Sequence, residues 1–242
     1  MVDKLILISR FNLPHPIWKE RTQEAYEAWI RDRIILFREL TARSLRNCYN
    51  KPDLWLIMVD DSAVNVTDEL SKITKGLPVK FVQYSGKKIV PAVREALSDL
   101  DFPLRILTCR ADTDDLLASG IFQGYRNVKV TEKQAREGVT LSFSGGATYD
   151  QANDKFYLSS YPENPFLGFL EDVSSPEEMR TVYMSQHTEM INDSAHTLPL
   201  RSYGPQWASV VHSNNLGNHS LMDVANFAFA DTEKLKKLFG IG

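Results

Sequence analysis

The chain has 242 residues, of which 43% are hydrophobic and 24% are charged, so it is long enough to bury a complete core. Its formal net charge of -3 argues against the broad basic surface that nucleic-acid binding needs. The two cysteines, Cys48 and Cys109, lie in apolar stretches and predict buried thiols rather than a disulfide framework. The apolar run near the N-terminus is too short to cross a membrane and lacks a cleavage pattern. We therefore expect a cytoplasmic protein without a transmembrane segment.

The first half of the sequence alternates short apolar runs with amphipathic stretches. Residues 4–9 predict a strand that is buried on both faces of a parallel sheet. Apolar residues at steps of three and four then predict one long helix from about residue 17 to residue 48. Further strands are predicted at 54–59, 79–84 and 104–109, with helices at 67–75 and 87–100. This βαβαβαβ order predicts a parallel, doubly wound sheet.

The second half has a less regular pattern. A helix is predicted at 116–125, followed by antiparallel strands at 139–143 and 155–159. Two stretches rich in Gly, Pro, Asn, Ser and His predict long loops over a site, at 162–176 and 184–218.

Polar residues follow three of the predicted parallel strands, at 9–12, 60–62 and 110–115. The carboxyl ends of such strands border the ligand crevice of an open α/β sheet. The run Arg110-Ala111-Asp112-Thr113-Asp114-Asp115 offers carboxylates that suit a hard divalent cation and the ribose hydroxyls of a nucleotide. Three adjacent anions also repel one another unless a cation compensates them. The run therefore predicts a site for a nucleotide and a metal ion.

Each of these acidic residues has a structural alternative. Asp112, Asp114 or Asp115 would equally cap the helix predicted to start near residue 116. Asp60-Asp61-Ser62 is also typical of a turn. These alternatives stay open at the level of spacing alone.

Several motifs, taken together and in order, resemble the rhamnosyltransferase family over about residues 4 to 218. They are Arg10-Phe11-Asn12, Leu36-Phe37-Arg38, Thr41-Ala42-Arg43-Ser44, Thr108-Cys109 with the acidic run, Asn164-Pro165-Phe166-Leu167, and Trp207-Ala208-Ser209-Val210-Val211-His212-Ser213-Asn214-Asn215. The resemblance implies a GT-A fold, the fold of nucleotide-diphospho-sugar transferases. Such a fold has a mostly parallel central sheet with helices on both faces and a smaller antiparallel, loop-rich acceptor half. It implies a single domain over 1–242, with the donor half at 1–115 and the acceptor half and C-terminal loops at 116–242.

The activity implied by the resemblance is that of a hexosyltransferase in polysaccharide biosynthesis. The enzyme would move a sugar, rhamnose by the family's name, from a nucleotide-diphosphate donor to a hydroxyl of a glycan or glycoconjugate. Manganese or magnesium would be held by Asp114, Asp115 and His212, and would neutralise the leaving diphosphate. The alternative for His212 is a buried histidine with a purely structural partner.

The remaining site residues are also assigned through the resemblance. The donor would contact Arg10, Asp61, Arg110, Asp112 and His187. Both arginines offer bidentate donors to phosphate or base oxygens, although they would equally pair with the neighbouring aspartates. A transferase that inverts the anomeric centre needs a base, for which Glu171 and Asp172 are the candidates by position. Solvated acids at a helix end are the alternative for that pair.

Two rival functions remain open. Nucleotidyl transfer uses a similar sheet with metal-binding aspartates, but it calls for a Gly-rich basic loop after the first strand, and residues 11–16 offer none. A sugar-binding or assembly module would keep the fold without catalysis, and the cluster of three carboxylates argues against it.

Overall fold

The computed structural model of the chain describes residues 1–13, 22–60, 66–84, 88–212 and 228–242. Its strands are β1 Lys4–Arg10, β2 Leu54–Asp60, β3 Val79–Tyr84, β4 Leu104–Arg110, β5 Leu116–Leu117, β6 Val139–Ser142, β7 Gly145–Asp150, β8 Lys155–Ser160, β9 Gly168–Val173, β10 His196–Pro199, β11 Trp207–Val211 and β12 Ala228–Phe229. Its α-helices are α1 Gln23–Leu36, α2 Ala42–Asn47, α3 Val66–Ile73, α4 Ile89–Ala96, α5 Ile121–Arg126, α6 Glu132–Glu137, α7 His187–Asp193 and α8 Thr232–Phe239. A π-helical turn spans Phe37–Thr41, and a 3-10 turn spans Pro176–Glu178.

The larger of two sheets has seven strands in the order β10-β6-β9-β4-β1-β2-β3. The strands β4, β1, β2 and β3 are mutually parallel, and β9 runs antiparallel between β4 and β6. Alternate residues of β1 face opposite sides, so that Leu7 packs with Phe37 of the π-helical turn, whereas Ile6 and Ile8 pack with Val93 of α4. Helices thus cover both faces, which confirms the predicted mostly parallel sheet.

The smaller sheet has five strands in the order β12-β8-β7-β11-β5. β7 and β8 form an antiparallel hairpin, while β11 pairs in parallel with β7 and antiparallel with β5. The second half therefore contains antiparallel pairs as predicted, but β11–β7 and β10–β6 are parallel, and the predicted strands at 139–143 and 155–159 lie in different sheets. However, β6, β9 and β10 from that half extend the larger sheet, so the boundary between the sheets does not follow a division at residue 115.

The long helix predicted up to residue 48 is present in three consecutive segments, α1, the π-helical turn and α2. The described part begins after Thr22, whose side chain accepts a hydrogen bond from the backbone N–H of Ala25 at 3.2 Å. The π-helical turn lies against the segment that follows the acidic run, because the Thr41 hydroxyl donates to the Asp115 carbonyl at 2.8 Å. Such turns are frequent at functional sites.

The helix predicted at 116–125 is wrong in its first part. Leu116–Leu117 is a strand paired with β11, and α5 begins only at Ile121. An apolar run this short fits a buried strand as well as a helix. Here it is a strand because it pairs with the edge of β11. The acidic run therefore has no adjoining helix to cap.

Two further expectations can be compared with the described residues. Cys48 and Cys109 are buried free thiols, as predicted, and burial raises the pKa of each. None of the helices in the described ranges has the length and apolar content of a membrane span.

Candidate active site

The acidic run leaves the carboxyl end of β4 beside the end of β1, because Ile8 and Arg110 are register partners. Arg10 binds Asp112 with two nitrogens, Nε at 3.2 Å from Oδ1 and Nη2 at 3.0 Å from Oδ2. Burial alone would raise the pKa of Asp112, but the charges of Arg10 and Arg110 outweigh burial and lower it. The predicted convergence of β1 and β4 at one site is thus present, with Arg10 and Asp112 joined directly.

Asp114 lies deeper and is bound by a residue that the sequence patterns did not single out. Arg33 on α1 donates from Nη1 to Asp114 Oδ2 at 2.9 Å and from Nη2 to Oδ1 at 3.3 Å. His212 Nε2 lies 3.1 Å from the same Oδ2. Burial would raise the pKa of Asp114, but Arg33 and His212 outweigh it and hold the pKa well below its usual range. Asp114 is therefore an ionised, buried carboxylate between two basic side chains.

The helical spacing of the sequence already indicates that Arg33 lies on a buried face. Arg33 occurs at helical spacing from Ile30 and Phe37, both of which are buried, so an arginine interrupts the apolar face of α1. Its Nε also donates to the Phe11 carbonyl at 2.6 Å, which fixes the guanidinium between the ends of β1 and β4. A charged residue on a buried helix face requires a partner of opposite charge, and here the partner is Asp114.

Asp115 forms no hydrogen bond to Arg10 or Arg33. Its Oδ1 accepts the backbone N–H of Val210 at 3.0 Å, and its side chain is buried. Burial, followed by the negative charges of Asp114 and Asp112, raises its pKa well above the usual value. The pKa values of the neighbouring Asp114 and Asp115 carboxylates are thus shifted in opposite directions.

The repulsion expected among three carboxylates is offset by Arg10 and Arg33 from elsewhere in the chain. Within the described ranges, no group of three His, Cys, Asp or Glu side chains is arranged to hold a metal ion. Asp114 Oδ2 and His212 Nε2 are separated by 3.1 Å. This separation is that of a hydrogen bond, and the same Oδ2 also accepts from Arg33 Nη1 at 2.9 Å.

Arg110 differs from the other arginines of the site. The residue is only 6% exposed, and among the described residues it forms no ion pair. Its guanidinium carbon lies 4.8 Å from the ring centre of Tyr183, while that of Arg10 lies 5.9 Å from the same ring. Arg110 Nε, the Tyr183 hydroxyl and the Ser185 hydroxyl are buried atoms without a hydrogen-bond partner in the described part of the chain. Arg110 and Tyr183 are in contact, so two of these buried donors lie together and need a partner from outside the described chain, either water or a ligand.

His187 belongs to the same neighbourhood. Its Nδ1 lies 2.6 Å from the Glu163 carbonyl oxygen, and its ring meets that of Tyr161 edge-on at 6.5 Å. Burial lowers the pKa of His187, and the charges of Arg110 and Asp112 act on it in opposite directions. Asp61, the remaining donor residue expected from the sequence, lies outside the described residues.

Glu171 and Asp172, the expected catalytic base, are not brought to this site. β9 is antiparallel to β4, and Glu171 and Asp172 are register partners of Ile106 and Arg105. Ile106 lies four strand residues before Arg110, the end of β4, a distance of about 13 Å, and Asp112 lies beyond that end. Glu171 instead accepts hydrogen bonds from the backbone N–H groups of Arg180 and Thr181, and Asp172 pairs with Arg105. A base for a substrate at the acidic run must therefore come from other residues.

Comparison with known proteins shows the family to which the chain belongs. The family model described as "Putative rhamnosyl transferase" matches residues 4–222. The chain belongs to this family. No curated protein matches the chain. Its mixed α/β fold, with a large and mostly parallel sheet, agrees with the GT-A fold expected for this family.

Solved structures with a similar fold are remote in sequence. A putative nucleotide-diphospho-sugar transferase from Desulfovibrio desulfuricans G20 shares 12% identity, with 88% of this chain and 83% of that chain covered and a TM-score of 0.38. A cytidylyltransferase from Leptospira borgpetersenii shares 11% identity, with 97% and 93% covered and a TM-score of 0.45. HddC from Yersinia pseudotuberculosis shares 9% identity, with 81% and 90% covered and a TM-score of 0.42. At these sequence identities and TM-scores, the neighbouring structures do not indicate the substrate of this chain.

Proposed function

We propose that this member of the rhamnosyltransferase family transfers a hexosyl group, rhamnosyl by the family's name, from a nucleoside diphosphate to a hydroxyl of a glycan or glycoconjugate. The observation that carries the proposal is Arg110, a buried cation without a carboxylate partner among the described residues. Removing a guanidinium from water is costly unless an anion compensates it. A diphosphate offers several oxygens in the planar, bidentate geometry that arginine favours. Arg110 is therefore assigned to the donor diphosphate.

The other donor contacts follow from their positions around Arg110. Asp112 keeps a side chain that is 27% exposed, and Arg10 fixes its orientation, so its carboxylate is suited to the ribose hydroxyls. Arg10 itself is 38% exposed in its side chain and is suited to the base or the adjoining phosphate. Asp61 is retained as a base contact on the strength of the sequence motif alone.

A divalent cation, manganese or magnesium, is part of the proposal. Asp114 and His212 supply an adjacent oxygen and nitrogen, and Asp115 Oδ2 accepts no hydrogen bond from a described residue. Magnesium commonly takes one or two carboxylates and completes its shell with water and substrate phosphates, so three full protein ligands are not required. Arg33 approaches the same Asp114 oxygen, and the cation would share this carboxylate with the guanidinium. When bound, such a cation would neutralise charge on the diphosphate leaving group.

The proposal is tested by incubating the protein with a panel of UDP-, GDP- and dTDP-linked sugars that includes dTDP-rhamnose. We expect release of the nucleoside diphosphate that needs manganese or magnesium and is abolished by EDTA. The double variant Asp114→Ala, Asp115→Ala should lose both the release and the metal-dependent binding. The surface double variant Asp99→Ala, Asp101→Ala is the matched control and should retain both. Intact metal-dependent binding in the Asp114, Asp115 variant would contradict the proposal.

Calorimetry separates the rival functions in the same preparation. A glycosyltransferase should bind the nucleoside diphosphate and its sugar conjugate in the presence of manganese. A nucleotidyltransferase should prefer the triphosphate together with a sugar phosphate. A non-catalytic sugar-binding module should ignore the nucleotide.

A further inference from the structure

The proton acceptor of the proposed reaction is not supplied by Glu171 or Asp172, and His187 has the geometry for this role. Its Nδ1 lies 2.6 Å from the Glu163 carbonyl oxygen, which only accepts hydrogen bonds. Nδ1 therefore carries the proton of the neutral ring, and Nε2 keeps a lone pair. Nε2 forms no hydrogen bond to a described residue. The ring thus presents an oriented proton acceptor.

The carbonyl that orients His187 is itself held in place. Asn164, the next residue after Glu163, is fully buried. Its Nδ2 donates to the Tyr161 carbonyl at 2.9 Å, and its Oδ1 accepts the Phe166 N–H at 2.9 Å. This network defines the loop conformation around Glu163, so the tautomer of His187 is set by a rigid partner.

The segment that leads to His187 is fixed from the other side by Glu171. The buried carboxylate accepts the backbone N–H groups of Arg180 at 3.0 Å and Thr181 at 2.9 Å. The next N–H, of Val182, donates to the Thr108 hydroxyl on β4 at 2.8 Å. Glu171 is therefore a positioning residue for Arg180 and Thr181, at the start of the segment that leads to His187, rather than a group that meets the substrate.

Burial favours the neutral form of His187, and Tyr183, four residues before it, lies beside Arg110, with 4.8 Å between the guanidinium carbon and the ring centre. Burial lowers the pKa of His187, the Glu163 carbonyl raises it, and the nearby charges of Arg110, Asp112 and Arg10 respectively lower, raise and lower it. The edge of Tyr161 also faces the ring. A histidine that is neutral near pH 7 has the protonation state that a general base needs.

Resting on the glycosyltransferase activity proposed above, we propose that His187 is the general base of the transfer. Its Nε2 takes the proton of the acceptor hydroxyl as the acceptor oxygen forms a bond to the anomeric carbon. The bond between the anomeric carbon and the β-phosphate oxygen breaks, and its electron pair leaves on the nucleoside diphosphate beside Arg110. The imidazolium then passes its proton to water. This direct displacement inverts the anomeric centre.

The main experiment is the variant His187→Asn, assayed for turnover of the donor that the wild-type protein uses, with water as the acceptor. Asparagine keeps an N–H donor for the Glu163 carbonyl but has no counterpart of Nε2. We expect kcat to fall by about 100- to 10,000-fold, the usual contribution of a general base. The Kd for the released nucleoside diphosphate should stay within about twofold, because the contacts proposed for the diphosphate and ribose, Arg110 and Asp112, are intact. His196→Ala is the control, since His196 pairs with Glu137 at the surface.

Three further measurements separate catalysis from binding. Added imidazole should restore part of kcat to His187→Ala, and wild-type kcat/KM should have an acid limb whose midpoint lies below the ordinary histidine pKa. The freed sugar, followed by NMR, should first appear with inverted configuration. A His187→Asn protein with unchanged kcat and a raised KM, or product of retained configuration, would overturn the assignment alone. A wild-type protein that turns over none of the donors would overturn the proposed function and this assignment together.

Discussion

The two ends of β4 each carry an arginine, and the two arginines have different surroundings. At the amino end, Arg105 Nε lies 2.6 Å from Asp172 Oδ1, and its Nη2 lies 3.4 Å from Glu132. At the carboxyl end, Arg110 has no carboxylate partner among the described residues, although Asp112 follows two positions later. The charge of Arg105 is balanced within the chain, whereas that of Arg110 leaves capacity for an external anion. Acidic residues occur at both ends, so the unpaired buried cation, rather than the number of carboxylates, distinguishes the candidate site.

The largest effect is expected from Arg33→Ala, which breaks the buried pair at the carboxyl end. Asp114, with a side chain only 10% exposed, would keep His212 as its remaining basic partner. Loss of one member of a buried pair costs about 3–5 kcal/mol in the free energy of unfolding, measured by urea denaturation at pH 7. The control Arg38→Ala removes an exposed arginine paired with exposed Glu39 and should cost less than about 1 kcal/mol.

The same variant has a defined pH dependence. The folded-state pKa of Asp114 is depressed, so the stabilisation from its pairing is present above its unfolded pKa, about 3.9, and is lost as the pH falls further. The difference between wild type and Arg33→Ala should therefore be full at pH 6 and shrink below about pH 4. If the Arg33 and Arg38 variants lose equal amounts of unfolding free energy, the buried pair at the carboxyl end of β4 stabilises the protein no more than the surface pair does.

A smaller effect, on binding rather than folding, is expected from Arg110→Gln. Hydrogen bonds to a charged group contribute about 1.5–3 kcal/mol, so the Kd for the nucleoside diphosphate should rise by about 10- to 100-fold. Arg105→Gln, on the same strand, is the matched control and should leave this Kd unchanged. Calorimetry with the nucleotide that the wild-type protein releases measures the Kd of each variant. A similar rise in the two variants would remove the distinction between the two ends of β4.

The smallest effect is expected from Asp172→Asn at the amino end. Asp172 is a partly exposed partner of Arg105, so its neutralisation should change the free energy of unfolding by about 1 kcal/mol or less. Turnover of the donor should be unchanged, because the residue lies far along β9 from the acidic run. A 100-fold loss of kcat would instead place the reacting atoms at this end of the sheet.

The sequence predicted some parts of the molecule well for a physical reason. Strands buried on both faces read as continuous apolar runs, so β1, β2 and β4 and their parallel order could be recognised without tertiary information. The polar residues that follow β1 and β4 then converge because parallel strands end at the same edge. The Arg10–Asp112 pair is a direct result of that geometry.

The residues that the sequence patterns missed depend on contacts between distant segments. Arg33 and Asp114 are 81 residues apart, and the spacing along α1 marks the arginine as buried without naming its partner. Leu116–Leu117 joins β11 as a strand because a sheet edge is available there. Neither outcome is contained in local periodicity.

The sequence by itself determined which segments of the first half form parallel strands and the position of the acidic run at the carboxyl end of β4. Only the tertiary structure decided which groups meet there. The antiparallel direction of β9 places Glu171 and Asp172 at least about 13 Å from the start of the run, because each strand residue advances about 3.3 Å. The long-range contact that orients His187, the base proposed in their place, is its hydrogen bond to the Glu163 carbonyl. Strand direction and long-range hydrogen bonds select the partners of a charged side chain, and residue spacing in the sequence does not record them.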